Sequence, residues 1–252
     1  MKRFNRFELK YIVTATQAEA VKEDLLDHMD PDSHGSDDGS YSICSIYYDT
    51  ADLAFMRAKI EGIKFRRKLR LRRYGAGSAG PVFVEIKQRI NRTTQKRRLI
   101  LSLAQAYELC AGGWDRELDD PEDQAAAQEV MFLSQGLNLQ PTSVVGYRRQ
   151  AYVGGSYEPG LRVTFDHDLW GAVASQGLVP DLTRHALLTQ STVIMEVKAN
   201  NAVPLWLANL LARHNCSLRR YSKYCAATQR LIDLQLLGGY QTELSEEIPD
   251  NG

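Results

Sequence analysis

The stretch "KFRRKLRLRRYG", residues 64–75, alternates charged and apolar residues over most of its length. Successive side chains of a β-strand point to opposite faces of the sheet. One face of this strand is therefore cationic, while the other combines Phe and Leu with two further arginines. Like charges side by side on a sheet are unfavourable unless something of opposite sign lies between them. The stretch predicts a strand that presents a row of cations to an anion: Lys64, Arg66, Lys68, Arg70 and Arg72.

A second charge pattern recurs on other predicted strands and consists of an acid, one intervening residue and a lysine. Both charged side chains of such a pair point to one face of the strand, and the opposite face is apolar or mixed. The pairs are Glu8 and Lys10, Glu85 and Lys87, and Glu196 and Lys198, with related faces at Arg162 and Asp166 and at Lys96 and Arg98. The cationic strand is therefore one of several with a charged face.

Two interpretations of these faces are open. Each could be the solvated face of an ordinary antiparallel sheet, which alternates polar and apolar residues in any case. The faces carry Arg, Lys and Glu nearly exclusively, however, where a solvated face would also contain Ser, Thr, Gln and Asn. This composition favours faces that point inward and line a tunnel, since a barrel of about eight strands has room inside for side chains or one slim ligand.

The predicted fold class is α+β: an antiparallel closed β-barrel tunnel of about eight strands with flanking helices. No composition shift marks a second domain, so we expect a single domain over residues 1–252, with a flexible acidic tail at about 241–252. The four cysteines have no metal or redox spacing, which predicts reduced thiols. No segment has the length of a signal peptide or a membrane span, so we expect a cytoplasmic protein.

The distribution of charge and the types of charged residue indicate which ligand the charged faces bind. Lys and Arg balance Asp and Glu at 31 each, which argues against a uniformly basic surface that coats nucleic acid. The cations instead gather between residues 57 and 98, where Glu61 and Glu85 are the only acids. The planar fork of Arg suits phosphate oxygens, and carboxylates among such cations suit Mg²⁺ or Mn²⁺, which bridges carboxylate and phosphate oxygens. The sequence predicts a phosphate site with a metal.

With these residues in view, the chain resembles the VTC domain, the polyphosphate polymerase domain of the vacuolar transporter chaperone complex. This domain lies within the triphosphate tunnel metalloenzyme (CYTH-like) superfamily. The resemblance extends over nearly the whole chain. It rests on an ordered set of segments: "ELKYIV", "SIYYDT", "KLRLRRYG", "VFVEIK", "YRRQAY", "LRVTFDHDL", "MEVK" and "YSKY".

The resemblance implies a polymerase that transfers the γ-phosphate of ATP to a growing polyphosphate chain with Mn²⁺ or Mg²⁺. It implies a set of catalytic phosphate ligands: Lys10, Arg70, Arg72, Lys87, Lys96, Arg149, Arg162 and Lys223. Further substrate-binding candidates are Arg66, Lys68, Arg98, Lys198 and Arg220. Glu196 is the principal metal-ligand candidate, and Glu8 and Glu85 are tunnel carboxylates assigned to the metal as well.

Other functions stay open at this point. Hydrolysis of tripolyphosphate or a nucleoside triphosphate needs the same ligands, although "FELK" keeps only part of the E-x-E-x-K strand of the hydrolase branch, with Arg6 at its first acidic position. Arg73 also departs from the aromatic residue of many relatives. A non-catalytic polyphosphate or RNA binder is a lesser alternative. Single-strand binders usually interleave aromatics with cations, and the cationic face of the strand at 64–75 offers almost no aromatics. The expected partners are ATP and polyphosphate or triphosphate, without nucleic acid, and an unidentified membrane or regulatory protein.

Overall fold

The computed structural model describes residues 6–33, 39–75, 80–91, 93–178, 182–200 and 202–237. These residues form ten strands and six α-helices. The strands are β1 (Arg6–Thr14), β2 (Met29–Pro31), β3 (Ser40–Asp49), β4 (Phe65–Tyr74), β5 (Val82–Ile90), β6 (Thr93–Leu101), β7 (Gln140–Gly154), β8 (Arg162–Val173), β9 (His185–Ala186) and β10 (Thr192–Asn200). The helices are α1 (Ala15–Leu25), α2 (Ala54–Ile60), α3 (Leu103–Cys110), α4 (Pro121–Gly136), α5 (Leu205–Arg213) and α6 (Lys223–Asp233). The predicted acidic tail lies outside the described residues.

One antiparallel sheet contains all ten strands, in the order β1-β10-β8-β7-β3-β4-β5-β6, with β2 paired to β7 and β9 paired to β8. The sheet curls, as a contact between strands far apart in this order shows. The ammonium of Lys87 on β5 donates to the carboxylate of Glu8 on β1 over 3.3 Å. Within the described residues, however, no backbone pairing joins the two terminal strands, β1 and β6. The α+β class and the antiparallel sheet are confirmed. The prediction of a closed barrel is wrong, since the sheet forms an open half-barrel.

The outer edge of β1 is covered, which explains why the sheet stays open. The segment between α5 and α6 lies along this edge, where Tyr11 bridges Leu218 and the amide of Arg219 donates to the carbonyl of Lys10 over 2.8 Å. A strand has only two edges, and β10 occupies the other edge of β1. The outer edge strand β6 is exposed over most of its length and carries Lys96, Arg97 and Arg98 in succession, which disfavours pairing with another strand.

The convex face of the sheet carries two hydrophobic cores. The larger core packs β4, β5 and β6 against α3 and α4 through buried residues such as Leu71, Val84 and Leu109. The second core packs β1, β8 and β10 against α1 and α5 through residues such as Val163 and Leu207. In the described part of the chain, no helix is long and apolar enough to cross a membrane.

The concave face carries a third, smaller core at one end, where α6 packs against β7 and β8. Tyr224 of α6 stacks on Tyr47 with ring centroids 4.9 Å apart, and its hydroxyl donates to the buried carboxylate of Asp49. Asp49 also accepts from the backbone amides of Phe55 and Met56, so that it joins β3, α2 and α6. This junction fixes the start of α6 inside the curl of the sheet, with Lys223 as the first residue of the helix.

Candidate functional site

The rest of the concave face is a charged groove. Residues directly opposite each other on paired strands share a face, so the strand register identifies the residues that line it. The register places Arg70 opposite Glu85 and Glu85 opposite Arg98, while Lys10 lies opposite Glu196. The groove defined in this way contains nearly all the predicted site residues: Glu8, Lys10, Arg66, Lys68, Arg70, Arg72, Glu85, Lys87, Lys96, Arg98, Arg149, Arg162, Glu196 and Lys198 from the strands, with Lys223 from α6.

Glu85 is the centre of the first charge cluster in the groove. Its carboxylate is buried and receives Arg70 on Oε2 at 2.7 Å and Arg98 on Oε1 at 2.6 Å. Lys96 reaches the same Oε1 at 2.6 Å. Burial alone would raise the pKa of Glu85, but the charges of Arg70, Arg72 and Lys96 outweigh it and hold the pKa well below its usual value. Both carboxylate oxygens of Glu85 are therefore already bound by cations.

A row of three lysines lies next to this cluster. Lys68, Lys87 and Lys96 are directly opposite one another on β4, β5 and β6, and we call them the lysine row. With Arg70 and Glu85, they line a small pocket that is partly open to solvent. Burial lowers the pKa of Lys68 to about 8, and the charges of Lys10 and Arg70 act in the same direction. Adjacent like charges on a sheet repel, so the row gains free energy when an anion binds against it.

Two further carboxylates, Glu196 and Glu8, lie on the opposite wall. Glu196 is buried, and one of its oxygens is 2.7 Å from the ammonium of Lys198. Burial raises the pKa of Glu196, but Lys198, Lys10 and other nearby cations lower it further than burial raises it. Glu8 lies close enough for the charge of Glu196 to affect its pKa, although its cationic neighbours hold that pKa below the usual value. The two carboxylates therefore share one region of the groove.

The fit to a divalent cation can be judged from these carboxylates. In the described residues, no group of three or more Asp, Glu, His or Cys side chains is arranged to hold a metal ion alone. Mg²⁺ commonly uses one or two carboxylates and takes its other ligands from water and substrate phosphates. Glu196 and Glu8 fit that demand. Glu85 fits it less well, because each of its oxygens already accepts from cations.

Asp166 organises the floor of the groove between the sheet and α6. Its side chain is fully buried and accepts two hydrogen bonds from Arg149, at 2.6 and 2.8 Å. The ammonium of Lys223 lies 2.6 Å from the same carboxylate. Burial would raise the pKa of Asp166, but these two cations lower it to about 2. Asp166 therefore holds two predicted phosphate ligands in fixed positions.

Hydroxyl groups hold Arg72, another buried arginine of the groove. Arg72 donates to the Ser45 hydroxyl at 3.1 Å and to the Tyr147 hydroxyl at 3.2 Å, and it is only 6% exposed. Arg70 donates in the same way to Tyr47 at 3.1 Å. The hydroxyl partners orient Arg72 without cancelling its charge, whereas Arg70 is also paired with the carboxylate of Glu85. The groove therefore keeps a positive field that carboxylates would otherwise remove.

The other predicted residues lie toward the two ends of the groove. Arg162 donates to Asp32 at 2.5 Å and to the Tyr41 hydroxyl at 3.0 Å. At the other end, Arg66 lies opposite Arg89, and the charges of Arg89 and Arg220 lower its pKa in addition to the effect of burial. Arginines therefore lie toward both ends of the groove, and at one end the charge of Arg162 is paired with Asp32.

Sequence reasoning missed several residues of this site. The strand pattern places Asp166 on a charged face with Arg162, but the sequence gives it no role in the site and does not show that Lys223 of a distant helix reaches it. Arg89 has the same parity as Lys87 and could have been found by continuing that strand. Tyr147 and Tyr47 gave no signal, because an aromatic residue on a strand usually indicates core packing.

Solved structures with similar folds cover most of the chain at low sequence identity. The PH1819 protein from Pyrococcus horikoshii OT3 is 12% identical, with 89% of this chain and 99% of that chain covered and a TM-score of 0.45. A putative adenylate cyclase from Vibrio parahaemolyticus is 10% identical, with coverage of 90% and 98% and a TM-score of 0.46. A putative adenylate cyclase from Bacillus halodurans is 11% identical, with coverage of 86% and 95% and a TM-score of 0.45.

Among curated proteins, none matches the chain. The family model described as "VTC domain" matches residues 5–232, which include all ten strands, the helices up to the penultimate residue of α6, and every residue assigned to the groove. The predicted resemblance is confirmed over nearly the full length of the sequence. This chain belongs to the VTC domain family.

Proposed function

We propose that this protein is a metal-dependent polyphosphate polymerase that transfers the γ-phosphate of ATP to the end of a polyphosphate chain. The observation that supports this proposal most directly is the lysine row, in which three ammonium groups lie side by side across three strands. Lys87 pairs with Glu8 and Lys96 pairs with Glu85, so the repulsion within the row is only partly compensated. The row therefore still gains free energy when a linear polyanion lies along it. Membership of the VTC domain family supports the same substrate class.

In the proposed reaction, a terminal phosphate oxygen of polyphosphate attacks the γ-phosphorus of ATP. The bond from that phosphorus to the β–γ bridging oxygen breaks, and ADP leaves with the electron pair. The attacking oxygen is already ionised near neutral pH, so the protein does not need to remove a proton from it. Catalysis then consists mainly of positioning and of stabilising charge on the transferred group, as is general for phosphoryl transfer.

The groove residues divide this work by their positions. Arg70, Arg72, Arg149 and Arg162 would hold the triphosphate, and Lys87, Lys96, Lys10 and Lys223 would neutralise charge that develops on the transferred group or guide the product. The secondary candidates Arg66, Lys68, Arg98, Lys198 and Arg220 would extend the positive field along the polymer. Glu196 and Glu8 would hold Mn²⁺ or Mg²⁺, which when bound would draw charge from the phosphate oxygens.

The carboxylates of the groove favour transfer to phosphate over transfer to water. Hydrolysis benefits from a base that accepts a proton from water. The pKa values of Glu8, Glu85, Asp166 and Glu196 are all held below their usual values by neighbouring cations. These carboxylates are therefore weak bases. Hydrolysis remains the second candidate because burial lowers the pKa of Lys68 to about 8, where an amine can accept a proton.

Product analysis separates the two reactions. With ATP and Mn²⁺, the purified protein should yield ADP and a ladder of acid-labile polymers, which gel electrophoresis resolves by length. Orthophosphate alone from the first minutes would instead identify a hydrolase. No turnover of ATP or tripolyphosphate, with Mn²⁺ or with Mg²⁺, would contradict both enzymatic proposals.

A matched pair of arginines on β6 tests whether the concave face binds the anion. Arg98 points into the groove toward Glu85, whereas its neighbour Arg97 lies on the other face of the strand near Glu129, 3.3 Å away. Arg98→Ala should weaken tripolyphosphate binding about 10-fold, since a hydrogen bond to a charged group contributes about 1.5–3 kcal/mol. Arg97→Ala should change it less than about 2-fold, as expected for an exposed ion pair.

Isothermal titration calorimetry of tripolyphosphate at fixed ionic strength measures both affinities without any need for turnover. Equal losses in Arg98→Ala and Arg97→Ala would mean that the protein binds the anion through its general surface charge. That result would contradict the assignment of the groove.

A further inference from the structure

At one end of the groove the lining changes from charged to aromatic. The register defines three successive rows across β4, β5 and β6: the lysine row, then Arg70, Glu85 and Arg98, and then a row in which Phe83 and Ile100 replace charged residues beside Arg72. Tyr74 follows two residues after Arg72 on β4 and points to the same face. We call Tyr41, Tyr74 and Phe83 the aromatic rim.

The side chains of the rim contact one another. The rings of Tyr74 and Phe83 are perpendicular, with an interplanar angle of 86° and centroids 5.2 Å apart. Tyr41 lies 6.1 Å from Tyr74 on the neighbouring strand. A flat ligand that stacks on one ring of the perpendicular pair would therefore meet the edge of the other, which is a favourable aromatic geometry.

The rim and its neighbour Ile100 are partly exposed although they are largely apolar. Tyr74 is 36% exposed and Ile100 is 62% exposed, while Phe83 is half-buried. In the described part of the chain, the apolar cores of the convex face are well covered by helices. On the concave face, Tyr41 packs against the third core beneath α6, whereas Tyr74 and Phe83 lie outside that core. The aromatic rim is therefore an apolar surface in direct continuity with a phosphate-binding one.

We propose that the aromatic rim binds the nucleobase of a nucleoside triphosphate whose phosphates lie against the charged rows of the groove. The spacing suits one molecule, because two residues along a strand separate Phe83 from Glu85 by about 6.6 Å, a step that a sugar can span. The proposal rests on the function proposed above for the phosphate site. It adds the site that distinguishes a nucleotide donor from an inorganic polyphosphate.

Binding by stacking determines how well the aromatic rim should discriminate between nucleobases. Every base has a π-face, so stacking binds bases with little discrimination and contributes about 1–3 kcal/mol per base, which is about 5-fold to 150-fold in affinity. Arg98 lies over the Phe83 ring at 4.8 Å and Arg72 over the Tyr74 ring at 5.9 Å, so the rings are already adjacent to cations that can also contact phosphate. ATP and GTP should therefore bind with similar affinity.

The test compares ATP with tripolyphosphate in binding experiments by isothermal titration calorimetry. Phe83→Ala and Tyr74→Ala should each weaken ATP binding about 10-fold and change tripolyphosphate binding less than about 2-fold. Phe83→Leu keeps most of the apolar volume but lacks the aromatic face, so it should show the same selective loss even if an alanine variant folds poorly. Phe132→Ala is the matched control, because Phe132 is a 72% exposed aromatic residue on α4.

Several outcomes would overturn the proposal. Unchanged ATP affinity in all rim variants would show that the rim does not bind the nucleobase. Equal losses of affinity for ATP and tripolyphosphate would show that the rim only maintains the structure of the groove. Binding of a short single-stranded RNA, but not ATP, with the same dependence on Tyr74 and Phe83 would assign the rim to RNA instead.

These results stand apart from the proposed polymerase activity. If the rim variants selectively lose ATP affinity while the wild-type protein makes no polymer, the base site holds and the polymerase proposal fails. If the wild-type protein makes polymer and the rim variants keep its Michaelis constant for ATP, the polymerase proposal holds and the base site fails.

Discussion

Replacing Glu196 with glutamine is expected to lower metal-dependent phosphoryl transfer by on the order of 10²–10³-fold, the effect of removing a strong electrostatic contributor to a phosphoryl or acyl transfer site. Glutamine has nearly the same shape but cannot supply the negative charge that a divalent cation requires. Glu196 is buried among cations that already lower its pKa, so the substitution also leaves Lys198 without its partner at 2.7 Å. We expect the variant to fold but to be less stable without an anion.

Initial rates at saturating ATP, measured across a range of Mn²⁺ concentrations, test this expectation. Thermal melts with and without tripolyphosphate must accompany the rates, so that unfolding is not mistaken for lost catalysis. Glu129→Gln is the matched control, because Glu129 pairs with Arg97 on the convex side of the sheet. A Glu196→Gln enzyme with full activity, or with unchanged dependence on Mn²⁺, would disprove the metal assignment.

The sequence predicts the faces of the strands well because side-chain direction alternates with a fixed period. Arg66, Lys68, Arg70 and Arg72 share one face in the structure as predicted, and their apolar neighbours Leu69 and Leu71 pack in the core of the convex side. The acid–lysine pairs likewise reach the groove. In the β1–β10 ladder they face each other with opposite signs, Glu8 opposite Lys198 and Lys10 opposite Glu196.

What the sequence could not predict depends on contacts between distant segments. The closure of the sheet depends on which strands become neighbours, and the alternation of side chains carries no information about that. The segment at Leu218 and Arg219 takes the edge of β1 that a closed barrel would need. Similarly, Tyr74 and Phe83 look like core residues in the sequence, and only the register shows that they continue the charged face of the groove.

The second large effect concerns Asp166, and it is an effect on stability. Asp166→Asn removes the charge that neutralises Arg149 and Lys223, which lie within 2.8 Å of its carboxylate in a fully buried position. Breaking a buried ion pair by changing one partner typically costs about 3–5 kcal/mol, because the remaining charge stays buried without compensation. We expect a loss of this size in the free energy of unfolding, measured by urea denaturation near neutral pH in a phosphate-free buffer.

Acid should reduce the difference between the wild type and Asp166→Asn. The pKa of Asp166 is lowered to about 2 in the folded protein, against about 3.9 in an unfolded chain. A lowered carboxyl pKa stabilises the fold above the unfolded value, and this contribution is lost as the pH falls from about 4 toward about 2. The asparagine does not titrate, so the two proteins should converge in stability over that range. A difference independent of pH would mean that the carboxylate charge is not the cause.

The Asp166→Asn variant should also respond to an anion, because Arg149 and Lys223 lose their carboxylate partner. A variant whose core is only damaged would show no such response. Arg149 and Lys223 then form a buried anion site, and an anion that binds only the folded state stabilises it in proportion to the logarithm of its concentration. Tripolyphosphate should therefore restore more stability to Asp166→Asn than it adds to the wild type. Asp168→Asn is the matched control, since Asp168 pairs with Arg148 at 3.4 Å in an exposed position and should cost less than about 1 kcal/mol. If tripolyphosphate stabilises all three proteins equally, Asp166 is an ordinary buried ion pair and does not hold phosphate ligands in place.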